Sequence, residues 1–404
     1  MTKRLFAIAL IFACTSIAWF VLGSTIYMRT FERGPALREK VASGWGAPQT
    51  QTPPRACYKR PGKTEKETVT EWLPLDRSRV KAGLHLEHRQ KGLLWYSTYT
   101  VAFEGVYSFH NPSGQDQDVT FALEYPSSQA IYDDFVFLLD GAPMEVENGK
   151  NSAVGKGRVG AGKTVELKVG YRSQGLDKWV YKFGGEVALV RDFQLRMTTD
   201  FHDIDFPDRT LSPTAKRETA KGWDLEWQYK NLVAGYSIGM AMPEKLQPGP
   251  LAGNICYFAP VSLLFFFFLM FLITVLRGID LHPMNYFFLA CAFFAFHLLL
   301  AYLVDHISIH AAFLIASAVS VFLVVSYLRL VVGIRFASVE AASVQLIYLV
   351  LFSYAFFFKG FTGLAVTVGS VLTLFVVMQM TGRIKWTEKF AAPRVSPPPP
   401  PGCK

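Results

Sequence analysis

The sequence predicts a membrane α-helical bundle, with one N-terminal and five C-terminal transmembrane helices, that carries a mainly antiparallel, β-sandwich-like periplasmic domain. Residues from about Ile255 to Met380 are almost continuously apolar and are divided into five pieces. Each piece has roughly 20 residues, the length at which a helix crosses about 30 Å of lipid. Residues 93–254 instead alternate polar and apolar side chains in short runs between turn residues, which is typical of antiparallel strands.

The first apolar segment follows Lys3 and Arg4 and extends from Leu5 to Tyr27. It is longer than the apolar core of a cleaved signal peptide, which has about 7–15 residues, and it lacks a small-x-small cleavage site. The residues before Cys14 only faintly resemble a lipid-acylation site, because Phe12 is bulky and the apolar run continues to Leu22. We therefore predict an uncleaved signal-anchor helix over residues 1–28.

The orientation follows from the basic residues at the ends of the spans, which we expect at 256–276, 284–304, 308–332, 341–358 and 361–381. Lys and Arg accumulate on the cytoplasmic side of membrane proteins. One six-span topology places all the basic clusters on that side: Lys3, Arg4, Arg277, Arg329, Arg335, Arg383, Lys385, Lys389 and Arg394. The sequence thus predicts a multi-pass protein with cytoplasmic N- and C-termini and a large domain on the opposite, periplasmic side.

Five regions follow from these patterns. They are the signal-anchor helix (1–28), a juxtamembrane helix with a Pro-rich linker (29–92), the periplasmic β domain (93–254), the five-helix bundle (255–382) and a cytoplasmic basic, Pro-rich tail (383–404). The tail contains five consecutive prolines, and we expect it to be a disordered polyproline II segment. It is either a docking peptide or an inert extension.

The composition argues against nucleic acid as a partner. The net charge is +9, but the basic residues are scattered and do not interleave with aromatic residues on one element. In a membrane protein such a surplus instead marks cytoplasmic ends and anionic headgroups.

Of the five cysteines, Cys57 and Cys256 would both face the oxidising side, where a disulfide is permitted. Their separation in the sequence leaves the pairing open.

Residues Gly157 to Thr164 match the phosphate-binding P-loop pattern letter by letter. A working P-loop needs a helix directly after the glycine loop, so that backbone N–H groups point at phosphate. Here the residues after Thr164 alternate like a strand, and the predicted topology keeps them away from cytoplasmic nucleotides. We therefore interpret the segment as a glycine-rich hairpin turn and predict no nucleotide partner.

A second segment, Asp200 to Asp205, packs four potential metal ligands (Asp200, His202, Asp203 and Asp205) into six residues. It lacks the glycine and the spacing of an EF-hand loop. A solvated loop between strands is the interpretation that we prefer, and no metal or other cofactor is predicted.

Ionisable residues around the third span are the functional candidates inside the membrane, since burying them is costly unless they are paired. His282 and Pro283 open the span, His297 lies near its middle, Asp305 and His306 close it, and His310 follows. Asp305, His306 and His310 could form a small metal or proton site at the outer rim. Structural roles account for the same residues, because solvent satisfies interfacial groups and a neighbouring carbonyl can satisfy His297. The motifs of known intramembrane proteases are absent.

The third span also resembles the CreD family of bacterial inner-membrane proteins. The resemblance is specific over about 200–385 and weak elsewhere. Four segments carry it: His282-Pro283-Met284-Asn285-Tyr286 with the closing Asp305-His306, Ala311 to Ser317, Thr381 to Trp386, and Leu211 to Glu218 with Gly222-Trp223 and Trp227. The resemblance implies an inner-membrane protein tied to envelope-stress or β-lactam-response circuits. It implies no enzymatic activity and supplies no catalytic residues.

Our leading hypothesis is a non-enzymatic envelope protein, in which the periplasmic β domain senses or binds a ligand or a periplasmic or membrane protein partner while the bundle anchors it in the lipid bilayer. The alternative is a transporter or permease-like activity in the bundle, which requires broken helices and inward-facing polar groups. A metal-dependent membrane enzyme at the outer rim is the third hypothesis.

Overall fold

A computed structural model describes residues 2–31, 34–61, 68–184, 188–358 and 360–382 of the 404-residue chain. The chain divides into two compact units. The helical unit combines Met1–Glu32 with Leu246–Lys404, and the β unit is Arg33–Lys245. The predicted tail, 383–404, lies outside the described residues.

The described helices are, in chain order, α1 (Thr2–Phe31), α2 (Gly34–Trp45), α3 (Pro248–Arg277), α4 (Pro283–Leu303), α5 (Ile309–Val331), α6 (Phe336–Phe357) and α7 (Thr362–Thr381). Six of these segments in the described chain are long and apolar enough to cross a bilayer, all except α2 by itself. The six predicted spans are therefore confirmed as helices. The largest difference between a predicted and an observed helix start is at α3, which begins at Pro248 rather than near 256. Proline is well suited to the first position of a helix, so Pro248 can begin it.

Helix α6 departs from regular geometry. It contains two π-helical segments, Phe336–Ala341 and Leu346–Leu351, on either side of one α-helical turn, Ala342–Gln345. It ends in a turn of 3₁₀-helix, Ala355–Phe357. Such wide turns are rare and are often found at functional sites, and nothing in the residue types of α6 predicted them.

The β unit contains the described strands β1 (Gln49–Gln51), β2 (Arg55–Pro61), β3 (Thr68–Trp72), β4 (Leu75–Lys91), β5 (Leu94–His110), β6 (Gln117–Glu124), β7 (Tyr132–Leu139), β8 (Ala142–Pro143), β9 (Val146–Asn148), β10 (Ser152–Val159), β11 (Thr164–Leu176), β12 (Lys178–Tyr181), β13 (Ala188–Thr199), β14 (Ala215–Glu218), β15 (Trp223–Ala234) and β16 (Ile238–Ala241). They form an eight-stranded sheet in the order β14-β15-β13-β4-β5-β11-β7-β8, a five-stranded sheet β3-β2-β6-β10-β9 and a three-stranded sheet β1-β12-β16. Most pairs are antiparallel, with β13–β4 and β1–β12 the parallel exceptions among the described strands.

One core joins these sheets. Strand β11 buries every second residue, including Val165, Leu167 and Val169, because alternate side chains of a strand point to opposite faces. The same cluster contains Phe121 of the five-stranded sheet and Trp179 of the three-stranded sheet. The predicted mainly antiparallel, sandwich-like domain is therefore confirmed.

The region 29–92 differs from its prediction. The juxtamembrane helix is present as α2, but the expected linker contains β1 to β4, so sheet structure begins at Gln49 rather than near 93. Strand β2 pairs with β6, which follows it by about 60 residues, and no local pattern reveals such long-range pairing. Strand β4 does show the signal: Val80, Ala82 and Leu84 are buried and alternate with exposed or half-exposed neighbours.

Candidate functional site

His282 and Pro283, two of the predicted intramembrane candidates, have structural roles at the start of α4. His282 is the N-cap of α4, and its Nδ1 accepts a hydrogen bond of 3.2 Å from the backbone N–H of Met284. Pro283 is the first residue of that helix, where its missing N–H has no partner to lose. Together they begin α4, which is a capping role.

His297 is completely buried at the middle of α4. Its Nδ1 lies 3.1 Å from the carbonyl oxygen of Phe293, one turn earlier, and its ring packs edge-on against Trp19 of α1 at 5.7 Å. The other ring nitrogen, Nε2, is buried and has no hydrogen-bond partner among the described protein atoms. The residue thus joins α1 to α4 through an aromatic cluster.

The residues of the proposed rim site do not converge. Asp305 forms an ion pair of 2.7 Å with Arg29 of α1, so its carboxylate is directed at that helix. The ring of His310 packs against Phe357 of α6 instead, with centroids 5.1 Å apart. Within the described residues, no three His, Cys, Asp or Glu side chains are grouped as metal ligands. The chain order of Asp305, His306 and His310 therefore does not translate into a common site.

A second ion pair matches the first at the other end of α1. Arg4 Nη1 lies 2.5 Å from Asp280 Oδ1, in the α3–α4 turn. Arg4 and Arg29 are separated by about 25 residues, or roughly 37 Å of helix. This length exceeds the 30 Å hydrocarbon core and places both pairs near the interfaces of a typical bilayer. Helices α1 and α4 therefore run in the same direction and are paired at both ends.

A polar network lies inside the bundle, where α5 meets α6. Gln345 is completely buried and donates from Nε2 to Ser320 Oγ at 2.7 Å, and Ser320 in turn donates to the carbonyl of Ala292 at 2.6 Å. The amide oxygen of Gln345 has no partner among the described protein atoms. This network was not predicted, although a glutamine between two apolar runs was the signal that could have revealed it.

The P-loop-like segment, Gly157 to Thr164, has a structural role in the β unit. The P-loop-like segment is a tight turn, in which Lys163 N–H donates to Gly160 at 3.2 Å and Gly162 has a φ of +63°. It is not a hairpin, because β10 belongs to the five-stranded sheet and β11 to the eight-stranded one. Strand β11 follows directly, where a P-loop requires a helix.

In the segment from Asp200 to Asp205 the ligand-type side chains point to different partners. Asp200 accepts from the backbone N–H of Leu86 at 2.9 Å and contacts His85, whereas His202 lies 3.3 Å from Glu218. Asp205 accepts from the N–H of Phe206. The segment is a loop held by its neighbours.

The sequence analysis did not predict a cavity that lies in the β unit. It is a cleft of about 680 Å³ over the outer face of the three-stranded sheet, which we name the β12 cleft. Its lining residues are Thr50, Lys178, Val180, Lys182, Phe183, Gly184, Pro207, Asp208, Arg209, Thr210, Ala234, Gly235, Tyr236 and Ser237. The volume is in the range of small-molecule sites, about 300–1,000 Å³.

Strand alternation explains the charge of this cleft. Trp179 and Tyr181 of β12 point into the core, with at most 1% of their surface exposed. Lys178, Val180 and Lys182 therefore lie together on the opposite face. This pattern was readable in the sequence, but only the pairing of β12 with β1 and β16 shows that the face forms the floor of a cleft.

The pKa of Asp177, which lies just before β12, is shifted by its surroundings. Burial raises the pKa of Asp177 above its ordinary value, although an ion pair with Arg38 opposes this effect. Elsewhere in the β unit, the hydrogen bonds from Arg196 lower the pKa of Asp224.

Cys57 on β2 and Cys256 on α3 are both free thiols.

Comparisons with solved structures give distant likenesses. A putative nutrient binding protein from Legionella pneumophila is 9% identical, with a TM-score of 0.38; the match covers 54% of this chain and 76% of that protein. An M1 zinc metallopeptidase from Deinococcus radiodurans is 10% identical, with a TM-score of 0.25, over 41% of this chain and 42% of its own. No curated protein matches. Neither likeness extends to an activity.

The family comparison is more informative. The model of the inner membrane protein CreD family matches residues 254–387, which include almost all of α3 and the whole of α4 to α7. The match contains the His282-Pro283 cap and the Asp305-His306 end of α4, so it confirms the resemblance of the third span. Residues 254–387 of this multi-pass membrane protein, which contain its five C-terminal spans, are therefore similar to the CreD family of inner membrane proteins.

Proposed function

We propose that this protein is a non-enzymatic, CreD-like component of the envelope-stress or β-lactam response, whose β domain lies in the periplasm and binds an envelope ligand or partner. The observation that carries the proposal is the way the β unit is inserted into the helical unit. The chain enters the β unit directly after α1 and leaves it directly before α3. Those two helices pack against each other.

Helices α1 and α3 are in close contact where the C-terminal turns of α1 meet the N-terminal turns of α3. The hydroxyls of Ser24 and Tyr257 are 3.2 Å apart, and a Cβ at Gly23 would come within 3.1 Å of the Tyr257 ring. Ile26 and Cys256 share a small buried cluster. The two ends of the β unit are thus joined in the chain to two helices that contact each other, and we propose these connections as the route from a bound ligand to the bundle.

The orientation in the proposal rests on charge. Arg277, Arg329 and Arg335 lie at or beyond one set of helix ends together with Arg4, and such clusters are typical of the cytoplasmic side. The β unit follows the opposite end of α1. A periplasmic domain of this kind can meet cell-wall components and other envelope proteins directly.

The proposal is tested by deleting the chromosomal gene and measuring growth and envelope-stress reporter activity at sub-inhibitory β-lactam concentrations. We expect an altered response that the full chain restores. A variant in which residues 49–242 are replaced by a flexible linker should not restore it at equal membrane abundance. An unchanged response in the deletion strain, or full rescue by the variant without the β unit, would contradict the proposal.

A transport-related role of the bundle is the second candidate, and one observation favours it. The two π-helical segments of α6 flank Gln345, whose buried amide oxygen is unpaired among the described residues. Transporters place polar groups at irregular helical segments near the bilayer midplane. If this candidate is right, Gln345→Leu abolishes the stress response while membrane abundance stays unchanged, and deleting the β unit does not.

A further inference from the structure

We propose that the β12 cleft binds a small anionic ligand that carries two or more phosphate groups. The inference rests on the proposed binding function of the β unit and names the chemical class of the ligand. It starts from three cationic side chains that line one concave surface, Lys178, Lys182 and Arg209.

None of these cations forms an ion pair in the described part of the chain, and Lys178 has a longer-range attraction to Asp177, which precedes it. None of the three is within 4 Å of a described Asp or Glu carboxylate. By contrast, most other arginines in the β unit are paired, for example Arg172 with Asp134 and Arg196 with Asp224. Asp208 is the one acidic residue in the cleft lining. The lining therefore carries a surplus of two positive charges.

The wall that carries Arg209 is held in place by backbone hydrogen bonds. Arg209 has a φ of +60°, and its carbonyl accepts from Ser237 N–H at 3.1 Å. Leu211 N–H returns a bond of 2.7 Å to the carbonyl of Ser237, and Thr210 Oγ1 bonds to Pro207 O at 2.6 Å. A non-glycine residue in this conformation is uncommon and requires support from its surroundings. The structure supplies that support, so the backbone at Arg209 has a fixed position beside the floor of the cleft.

The floor also needs a small residue where this wall crosses it. A Cβ at Gly239 of β16 would lie 3.2 Å from Thr210 and 3.3 Å from Val180. Gly239 pairs with Val180, and Thr50 pairs with Val180 on the other side. The wall therefore packs directly on the middle of the floor, and the lysines lie at either end of it.

The spacing of the lysines selects the class of ligand. Lys178 is the first residue of β12 and Lys182 directly follows its last residue, so an extended chain separates their Cα atoms by roughly 13 Å. Val180 between them is only 7% exposed, and the accessible apolar surface of the cleft comes from Tyr236 and Phe183. One phosphate cannot contact both lysines without long side-chain excursions, whereas two phosphates joined by a sugar-sized body match the two charges and the aromatic surface. Hydroxyls of Thr50, Thr210 and Ser237 add hydrogen bonding.

The test measures binding to the full chain purified in neutral detergent. Fructose 1,6-bisphosphate is the soluble probe, inorganic phosphate is the single-group comparison, and cardiolipin added to the micelles is the lipid headgroup with two phosphates. We expect fructose 1,6-bisphosphate or cardiolipin to bind more tightly than inorganic phosphate. Lys182→Gln and Arg209→Gln should each weaken binding about fivefold, as expected for a partly exposed charge pair. Asp208→Asn should strengthen it.

Matched controls make the outcome specific to the cleft. Lys150→Gln and Lys221→Gln remove the same charge from exposed positions outside the cleft and should leave binding unchanged. Cleft-dependent binding of the bisphosphate identifies a free ligand, and cleft-dependent binding of cardiolipin alone identifies a lipid headgroup. Absence of binding to both probes, or equal losses in cleft and control variants, would overturn the inference.

The same variants separate this inference from the proposed function. If the wild-type chain restores the stress response and Lys182→Gln with Arg209→Gln restores it equally, the cleft is not the ligand site and the proposed function stands. If the wild-type chain fails to restore the response while the bisphosphate binds, the proposed function is wrong and the cleft remains a binding site.

Discussion

At the scale of single residues, the intramembrane histidines show how one residue type can serve different ends. His282 caps a helix and His310 packs on an aromatic ring, whereas His297 is enclosed and hydrogen-bonded to its own helix. All three were candidates on the same grounds, because an ionisable group at membrane depth is costly. The structure shows that each has a local packing or hydrogen-bond partner.

His297 provides a direct test of a structural role. The substitution His297→Phe keeps a ring in the aromatic cluster with Trp19 and should lower thermal stability only slightly. His297→Ala leaves a cavity and should cost about 3 kcal/mol, as for large-to-small core substitutions. Thermal unfolding of the detergent-purified protein checks both. A stable His297→Phe variant that fails to restore the stress response would show that the imidazole is functional.

His88 of the β unit makes stability depend on pH. Burial lowers its pKa below 6.5, and nearby Lys245 acts in the same direction, while a hydrogen bond of 2.9 Å to the Pro243 carbonyl opposes them. The folded state therefore favours the neutral ring. Its contribution is fully present above about pH 6.5, the pKa of the unfolded chain, and is lost as the pH falls through the lower folded pKa.

We therefore expect the melting temperature of the β unit, followed by tryptophan fluorescence in the full chain, to fall between pH 7.5 and 5.5. In His88→Gln the decline should be smaller by about 1–3 °C. Parallel pH profiles of the two proteins would show that His88 does not contribute.

At the scale of elements, the two ion pairs on α1 explain why an apparently simple anchor helix is part of the bundle. Arg4–Asp280 and Arg29–Asp305 join it to both ends of α4, and Trp19 packs between them. Asp305 was predicted as a candidate functional residue, and its geometry gives it this pairing role. Neither pair was visible in the sequence, because each joins residues 276 positions apart.

The Arg29–Asp305 pair can be tested by exchanging its charges. Asp305→Arg places like charges together and should lower thermal stability by about 1 kcal/mol or more, since the pair is only partly exposed. The double variant Arg29→Asp with Asp305→Arg should recover most of the loss. A double variant no more stable than Asp305→Arg would contradict a direct pairing.

At the scale of the whole molecule, topology is the most consequential prediction from charge. In a cysteine-free background, Lys150→Cys in the β unit should react with a membrane-impermeant maleimide in cells whose outer membrane has been permeabilised. Arg335→Cys, between α5 and α6, should react only after lysis. Both positions are exposed, so a reversed pattern would mean that the orientation is inverted.

The residues that match the family model lie in only one of the two structural units. The match covers residues 254–387, whereas the β unit, with the β12 cleft, lies outside it. The part of the chain that is similar to the family is therefore the bundle. The proposed ligand site therefore lies outside the residues that match the family model.

The sequence by itself determined the membrane spans, the mainly antiparallel β domain and the resemblance of the bundle to the CreD family. These features depend on local hydrophobic length, on alternation and on short motifs, which one stretch of chain contains completely. It also excluded the P-loop, because the strand after Thr164 is a local pattern.

Only the tertiary structure decided the strands between 49 and 92, the ion pairs of α1, the scattered positions of the rim candidates and the β12 cleft. Each of these depends on contacts between residues far apart in the chain. The free energy of such contacts comes from packing and pairing that no window of neighbouring residues records.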